Sequence, residues 1–345
     1  MVRLQDIAEI VGCSRTTVSN VIHGKTKKVS QETIDKIKKV MDELNYTPNL
    51  MTMEADKAVT KNIGVIIYEE IHGINSMQDT FVGELLAAIN SEIVKKGYHM
   101  VVFNSNECKK IIDNISAWNI DGIIILGYTK EEYYKLKKSV NKKIVLVDTY
   151  LDDERTCFNI GIDDYSGGYQ VGKYLYEQGY KQALFLSEMD RGSDLHRWRG
   201  FKDAMEVAGE LCDNDRYVLI EKLKSAREKQ YKKLRSRFVE AKALVFSSDF
   251  NAIEAISFLK DEGYKIPEDI SIVGFDDNIY ASFVQPKLTT VRQDVSEKGK
   301  IAATMLLDLI EGKVIKETII RLDTQLIIRE SVGMQTKCVK CTKNE

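Results

Sequence analysis

Through the first fifty positions apolar residues recur three and four apart, whereas beyond residue 62 they gather into short β-branched runs separated by longer amphipathic stretches. The first rhythm predicts three short helices. Leu4, Ile7, Ala8 and Val11 fall on one helical stripe, Gly12-Cys13 supplies a turn, and Ser14 stands as the N-cap of a second helix. That helix runs from Arg15 to Ile22 and turns Val18, Val21 and Ile22 to one side. A third begins at an N-cap on Ser30 and buries Ile34, Ile37, Val40, Met41 and Leu44. Helices joined by so short a Gly-containing turn form a helix-turn-helix.

The second rhythm predicts α/β units around parallel sheets. Strands are expected at Ile63 to Tyr68, Met100 to Asn104, Gly122 to Leu126, Ile144 to Asp148, Ala183 to Ser187, Tyr217 to Ile220, Ala243 to Ser247 and Ile270 to Phe275. Helices fall between them, and Gly97-Tyr98, Gly179-Tyr180 and Gly263-Tyr264 each close one just before a strand, as C-cap glycines do. The recurrence suggests two similar halves with a cleft facing the carboxyl ends of their strands. The expected fold class is α/β: an N-terminal all-α helix-turn-helix domain, then a two-lobed body of two doubly wound parallel sheets. A chain of 345 residues is long enough for such domains to have separate cores.

Across the second helix from its apolar stripe stand Thr16 and Asn20, with Arg15 projecting from the first turn. Arginine can donate a bidentate pair to guanine and asparagine can pair with adenine, so Arg15, Thr16 and Asn20 are candidate base contacts on double-stranded DNA. Ser14, Thr17 and Ser19 flank that face and suit phosphate oxygens. Lys25, Lys27 and Lys28 follow in the next loop, where phosphates would pass. A plain three-helix bundle with a polar outer face fits the same pattern. The net charge of −2 excludes a wholly basic nucleic-acid coat. Residues 1–50 carry eight Lys and Arg against six Asp and Glu, so the basic bias is local.

In the body, Asp148, Asp163, Asp249 and Asp276 follow apolar runs and would point into the cleft, joined by Arg197 ahead of the helix near Gly200. Carboxylates and an arginine fork suit vicinal hydroxyls or a base edge, and Phe81 offers a face for stacking. For Asp148 and Asp163, capping the next helix fits equally well. Trp198 could line the pocket or pack beneath its helix. No P-loop, nucleophile elbow or metal-spaced histidine set is present, and adjacent aspartates such as Asp163-Asp164 and Asp276-Asp277 point apart in an extended segment. The expectation is a protein that is not an enzyme and needs no cofactor or metal. Of His23, His72, His99 and His196, only His196 lies near the expected cleft. The basic run from Arg227 to Arg237 reads as a solvated helix face. Six scattered cysteines argue against a disulfide scaffold, and Cys338 and Cys341 form a lone C-x-x-C in a lysine-rich tail. With neither a signal-like N-terminus nor a membrane-length apolar run, the expected location is the cytoplasm, away from any membrane.

Beyond the helix-turn-helix, the segments Leu44-Asn45-Tyr46-Thr47-Pro48-Asn49, Asn62-Ile63-Gly64-Val65-Ile66, Leu288-Thr289-Thr290-Val291-Arg292-Gln293 and Ile328-Arg329-Glu330-Ser331 resemble the lactose/purine repressor family in content and order, over nearly the whole chain. The resemblance implies a homodimeric transcriptional regulator, most simply a repressor. It would read a palindromic operator and change its DNA affinity when a small polar effector enters a periplasmic-binding-protein-like domain. It carries base contacts onto Arg15, Thr16 and Asn20, and effector contacts onto Phe81, Asp148, Arg191, Ser193, Arg197, Asp249 and Asp276; Arg191 and Ser193 rest on the resemblance alone. Arg197 with Asp276 favours a sugar, although related pockets hold nucleosides or bases. The implied division is a reader at 1–48, a hinge at 49–61, an effector and dimerisation domain at 62–331 and a tail at 332–345. Within 62–331, one lobe takes about 62–161 and 293–322, the other about 162–290 and 324–331. The alternative is a sugar-binding protein without operator activity, which the DNA reader argues against.

The sequence departs from the family in two places. The position of the minor-groove leucine is Ala55, flanked by Glu54 and Asp56, whose charges repel phosphates; Met51, one turn earlier, is a substitute wedge. A weaker kink or a shifted hinge register is expected. One extra residue in the Gly24 to Lys28 loop should only move phosphate contacts.

Overall fold

The computed structural model describes residues 3–22, 25–44, 46, 60–67, 70–151 and 157–335. Met51 and Ala55 of the expected hinge lie outside them, as do Cys338 and Cys341 of the tail. The chain divides at Lys61 and Asn62 into two compact units.

The first unit is α1 (Leu4–Val11), α2 (Arg15–Ile22) and α3 (Gln31–Glu43). Ile7, Ala8, Val18, Val21, Ile34 and Ile37 form its core, with Leu4, Val11, Ile22, Val40, Met41 and Leu44 only half-buried around it. A unit this small buries few side chains fully, so the stripes read from sequence are wider than the core they enclose. Gly12 ends α1 at φ 75° and returns its amide to the Ala8 carbonyl at 2.9 Å, a left-handed cap that Gly adopts without a Cβ penalty.

The second unit holds two six-stranded sheets. The first contains β1 (Asn62–Ile67), β4 (His99–Asn104), β5 (Gly122–Leu126), β6 (Lys143–Val147), β7 (Asn159–Ile162) and β13 (Ile319–Leu322), in the order β13-β7-β6-β5-β1-β4, with every pairing parallel. The period of two is visible in the packing. Ile63, Val65 and Ile67 face a cluster with α4 (Thr80–Lys95) and α11 (Val295–Ile310), while Ile66, Ile123 and Ile125 face α5 (Cys108–Ala117) and α6 (Lys130–Ser139). Helices on both faces explain why these strands are continuously apolar.

The second sheet orders β14 (Gln325–Ile327), β12 (Thr289–Arg292), β11 (Ser271–Asp276), β10 (Ala243–Phe246), β8 (Leu184–Ser187) and β9 (Tyr217–Leu219) as β14-β12-β11-β10-β8-β9. Around it lie α7 (Asp164–Glu177), α8 (Gly192–Val207), α9 (Lys224–Ala241) and α10 (Asp249–Asp261). The chain passes between the lobes after β7, after β12 and between β13 and β14, each time from the carboxyl end of a strand. The sheets therefore present their carboxyl ends to each other. This explains the one departure from parallel order in the second sheet. Only Asp323 and Thr324 separate β13 from β14, so β14 enters from the cleft side and runs antiparallel to β12.

Helices α7 and α8 touch backbone to backbone. A Cβ on Gly200 would collide with the Tyr165 carbonyl and one on Gly168 with the Arg197 carbonyl, so two glycines set the close approach that carries Arg197 toward Asp164. Gly200→Ala is therefore expected to destabilise the second unit by about 1–3 kcal/mol or more, because backbone must move. A lowered urea midpoint with unchanged slope checks this, and an unchanged midpoint contradicts it.

One expectation for the second lobe needs correction, and one open alternative is decided. Arg227 does not belong to a solvated face: its side chain is fully buried, bonds Glu254 through Nε at 2.7 Å and Nη2 at 2.9 Å, and caps the Glu221 and Lys222 carbonyls. It sits in the first turn of α9, where those carbonyls of the preceding loop turn inward. Trp198 packs beneath its helix against Phe185, Phe201 and Tyr217 and is 4% exposed.

Candidate functional site

In the first unit the Thr17 amide donates to Ser14 Oγ at 3.0 Å, which starts α2 and leaves Arg15 and Thr16 exposed on its first turn. Val18 and Val21 face inward, and Asn20 is half-buried on the other side. Ser14 Oγ and Thr17 Oγ1 lie 2.9 Å apart, and Ser19, further along α2, is half-buried. The Lys25 amide returns to the Asn20 carbonyl at 2.8 Å, so the loop bearing exposed Lys25, Lys27 and Lys28 starts from the end of α2. An exposed helix face with an amide, a guanidinium and short hydroxyls beside a cationic loop has the chemistry to read base edges and hold phosphates.

In the second unit the two lobes are tied together at the floor of the cleft. Asp148, at φ 51° just after β6, receives Lys298 Nζ of α11 on both oxygens at 2.9 and 2.7 Å. The same ammonium donates to Gln293 Oε1 at 2.6 Å, and Gln293 Nε2 donates to Asp276 Oδ1 at 2.6 Å. This chain runs from the first lobe to the end of β11 in the second. Phe81, half-buried at the start of α4, faces Lys298 with Nζ 5.1 Å from its ring centroid.

Arg197 is buried. Its Nε donates to Asp164 Oδ1 at 2.7 Å, its Nη1 to the Ser247 carbonyl at 2.5 Å, and its guanidinium lies 3.7 Å from the Phe275 ring centroid. Tyr150, on the loop after β6, donates to the other Asp164 oxygen and stacks on His196 with centroids 4.3 Å apart. Asp249 is the first residue of α10, but Ser248 is the cap; Asp249 accepts from Thr290 Oγ1 at 2.6 Å and the Asn278 amide at 2.9 Å. Asp163 is the N-cap of α7, accepting from the Ser166 amide at 2.8 Å. Arg191 is exposed and Ser193 half-buried at the start of α8, one to two turns before Arg197.

Acids outnumber bases here, and their protonation responds. Burial and the nearby Asp276 charge push the Asp249 carboxyl well above the usual carboxylate range. Burial lifts Asp276 to about 6, against the pull of Arg197. Burial also raises Asp194, which accepts from Ser247 Oγ at 3.1 Å and from Ser187. Among the described residues no cluster of His, Cys, Asp and Glu is placed to hold a metal ion. Nor is any helix among them long and apolar enough to cross a membrane.

Residues 3–49 match bacterial regulatory proteins of the lacI family and residues 173–332 match a periplasmic binding protein-like domain. The chain is 31% identical over 345 aligned residues to the HTH-type transcriptional repressor PurR of Pasteurella multocida, covering 96% of this chain and 99% of the relative. The chain belongs to the lacI family of bacterial regulatory proteins. It is a helix-turn-helix transcriptional regulator with an effector-binding domain, and not an enzyme. Regulators of this family bind operator DNA and act as dimers. Two solved structures share the fold: the Lac repressor dimer bound to operator and the anti-inducer ONPF, with a TM-score of 0.79 and 23% identity over 96% of this chain and 99% of that one, and the CelR-cellobiose complex, with 0.72 and 22% over 96% and 100%.

Three members of the regulator's cleft escaped the sequence analysis. Asp164 reads from sequence only as half of an adjacent pair whose side chains point apart, yet it is the partner of Arg197. Lys298 stands on the inward stripe of α11 with Val295, Ala302 and Leu306, and a lysine in an apolar stripe was the available signal. Of the four histidines the sequence singles out His196, which stands near the expected cleft, and nothing in it marks His72.

Proposed function

We propose that the regulator reads a palindromic operator through Arg15, Thr16 and Asn20, steadied on phosphates by Ser14, Thr17, Ser19, Lys25, Lys27 and Lys28. The proposed wedge at the hinge is Met51 with Ala55. The proposed effector is a polyhydroxylated molecule, a sugar before a nucleoside or base, held by Phe81, Asp148, Arg191, Ser193, Arg197, Asp249 and Asp276. The reader takes 1–48, the hinge 49–61, and the effector and dimerisation domain 62–331. The regulator works in the cytoplasm, where its operator is.

The observation carrying this reading is the hydrogen-bonded chain Asp148–Lys298–Gln293–Asp276, which joins both lobes at the carboxyl ends of their strands. Its end groups are acceptors suited to hydroxyl donors, and Phe81 adds an apolar face for a sugar ring. CelR, of the same fold, holds cellobiose. A ligand that reorganises this chain changes the lobe angle and with it the spacing of two reading heads.

The test is an operator-binding titration at fixed salt against a panel of sugars and nucleosides. One member should shift the operator Kd by about 5–150-fold, the range of a coupling of about 1–3 kcal/mol. Asp276 accepts best when ionised, so effector affinity should fall as pH drops through about 6. Asp276→Asn should weaken binding at neutral pH and flatten that dependence. A panel without effect, or a pH profile that survives Asp276→Asn, contradicts the assignment.

A further inference from the structure

A small hairpin leaves the first lobe and ends in the second. It pairs β2 (Glu70–Ile71) with β3 (Ile74–Asn75), and its tip is His72-Gly73. His72 Nδ1 lies 3.0 Å from Glu188 Oε1 in the loop after β8. The imidazole also stacks on Phe250 of α10, with centroids 4.9 Å apart and planes 8° from parallel. Beside it, Gly73 at φ 74° approaches the loop ahead of α9 so closely that a Cβ would stand 2.5 Å from the Lys222 carbonyl. The seat has its own supports within the second lobe. Asn251 Nδ2 donates to the same Glu188 oxygen at 2.9 Å, and buried Arg227 holds it from behind at 3.4 Å while pairing with Glu254.

We propose that the Glu70–Asn75 hairpin is a strap that fastens the two lobes through the His72–Glu188 contact and loosens when His72 gives up its proton. The groups facing His72 set the direction. Burial works against the imidazolium, but the hydrogen bond and charge of Glu188, then Asp79 at the cap of α4 and Asp276 at the end of β11, outweigh it and raise the histidine above its ordinary value. Asp194 of α8 adds to the same field, and Arg227, the opposing cation, shares its charge with Glu254. Burial acts to raise Glu188 as well, but His72, Asn251 and Arg227 hold it below the usual range, so it stays ionised. A histidine raised by its partner stabilises the contact fully below its unperturbed value, and the contribution is lost as pH climbs through the raised one. The lobe angle therefore answers to protons at a residue apart from the proposed effector contacts.

The test uses the full-length protein with isotope-labelled histidine, titrated by NMR, the His72 signal being assigned by its loss in His72→Gln. Hydrogen exchange of the Ile71 to Asn75 amides is followed below and above the midpoint, after correction for intrinsic exchange. His72 should titrate above the roughly 6.5 of a free histidine, and Glu188→Gln should return it to that value or below. Strap protection should drop across the midpoint in the native protein and be low at both pH values in His72→Gln. A His72 that titrates as a free histidine overturns the proposal. So does protection that ignores pH or persists in His72→Gln, a substitution at a hairpin tip that leaves both lobe cores intact.

Discussion

Arg197→Met is expected to lower the stability of the effector unit by about 3–5 kcal/mol, the usual consequence of removing one member of a buried ion pair. The methionine keeps most of the aliphatic stem but removes the guanidinium that lies over Phe275, so the loss comes from the charge and the contacts it makes. Asp164 is 2% exposed and would keep its carboxylate with only the Tyr150 hydroxyl as a donor, while the Ser247 carbonyl would lose its partner. Adding Asp164→Asn removes the orphaned charge and should recover most of the loss. Urea unfolding of the two single variants and the double variant reads this coupling directly. A single variant within about 0.5 kcal/mol of the native protein would show that the pair is not the keystone of the α7–α8 junction. Effector response should be lost even in the rescued double variant, since stability returns without the guanidinium fork.

Asn20→Ala should weaken specific operator binding by about 1–3 kcal/mol per half-site, and a symmetric dimer meets that loss twice. The companion is Lys27→Ala, which should weaken all duplexes alike and reduce the salt slope by about 1. Competition binding on specific and random duplexes at several salt concentrations separates the two. Equal losses on both duplexes for Asn20→Ala would move it from base reading to phosphate contact and leave specificity with Arg15 and Thr16.

Most of the architecture was legible because its signals are local. The runs at Gly122 to Leu126 and Ala243 to Phe246 are buried on both faces, and the glycines at 97, 179 and 263 all take positive φ. What stayed hidden was pairing over long sequence distances. Asp148 and Arg197 were recognisable as cleft residues by type and position, but their partners Lys298 and Asp164 follow only from the packing of α11 on the first sheet and of α7 on α8. Arg227 was misread for the same reason: a charged residue in a charged run gives no sign that Glu254, one turn into another helix, awaits it. The strap is the extreme case. Its strands are two residues each, too short for any periodicity to register.

The central claim is that this chain reads a two-fold symmetric operator whose affinity a small polar effector controls. Its most direct test is selection of bound sequences from a random duplex pool with the purified full-length protein at fixed, stated salt, with and without the effector panel. A palindromic site should be enriched in at least one condition, lost in Asn20→Ala and altered in yield by one panel member. Enrichment of no symmetric site in any condition would contradict it.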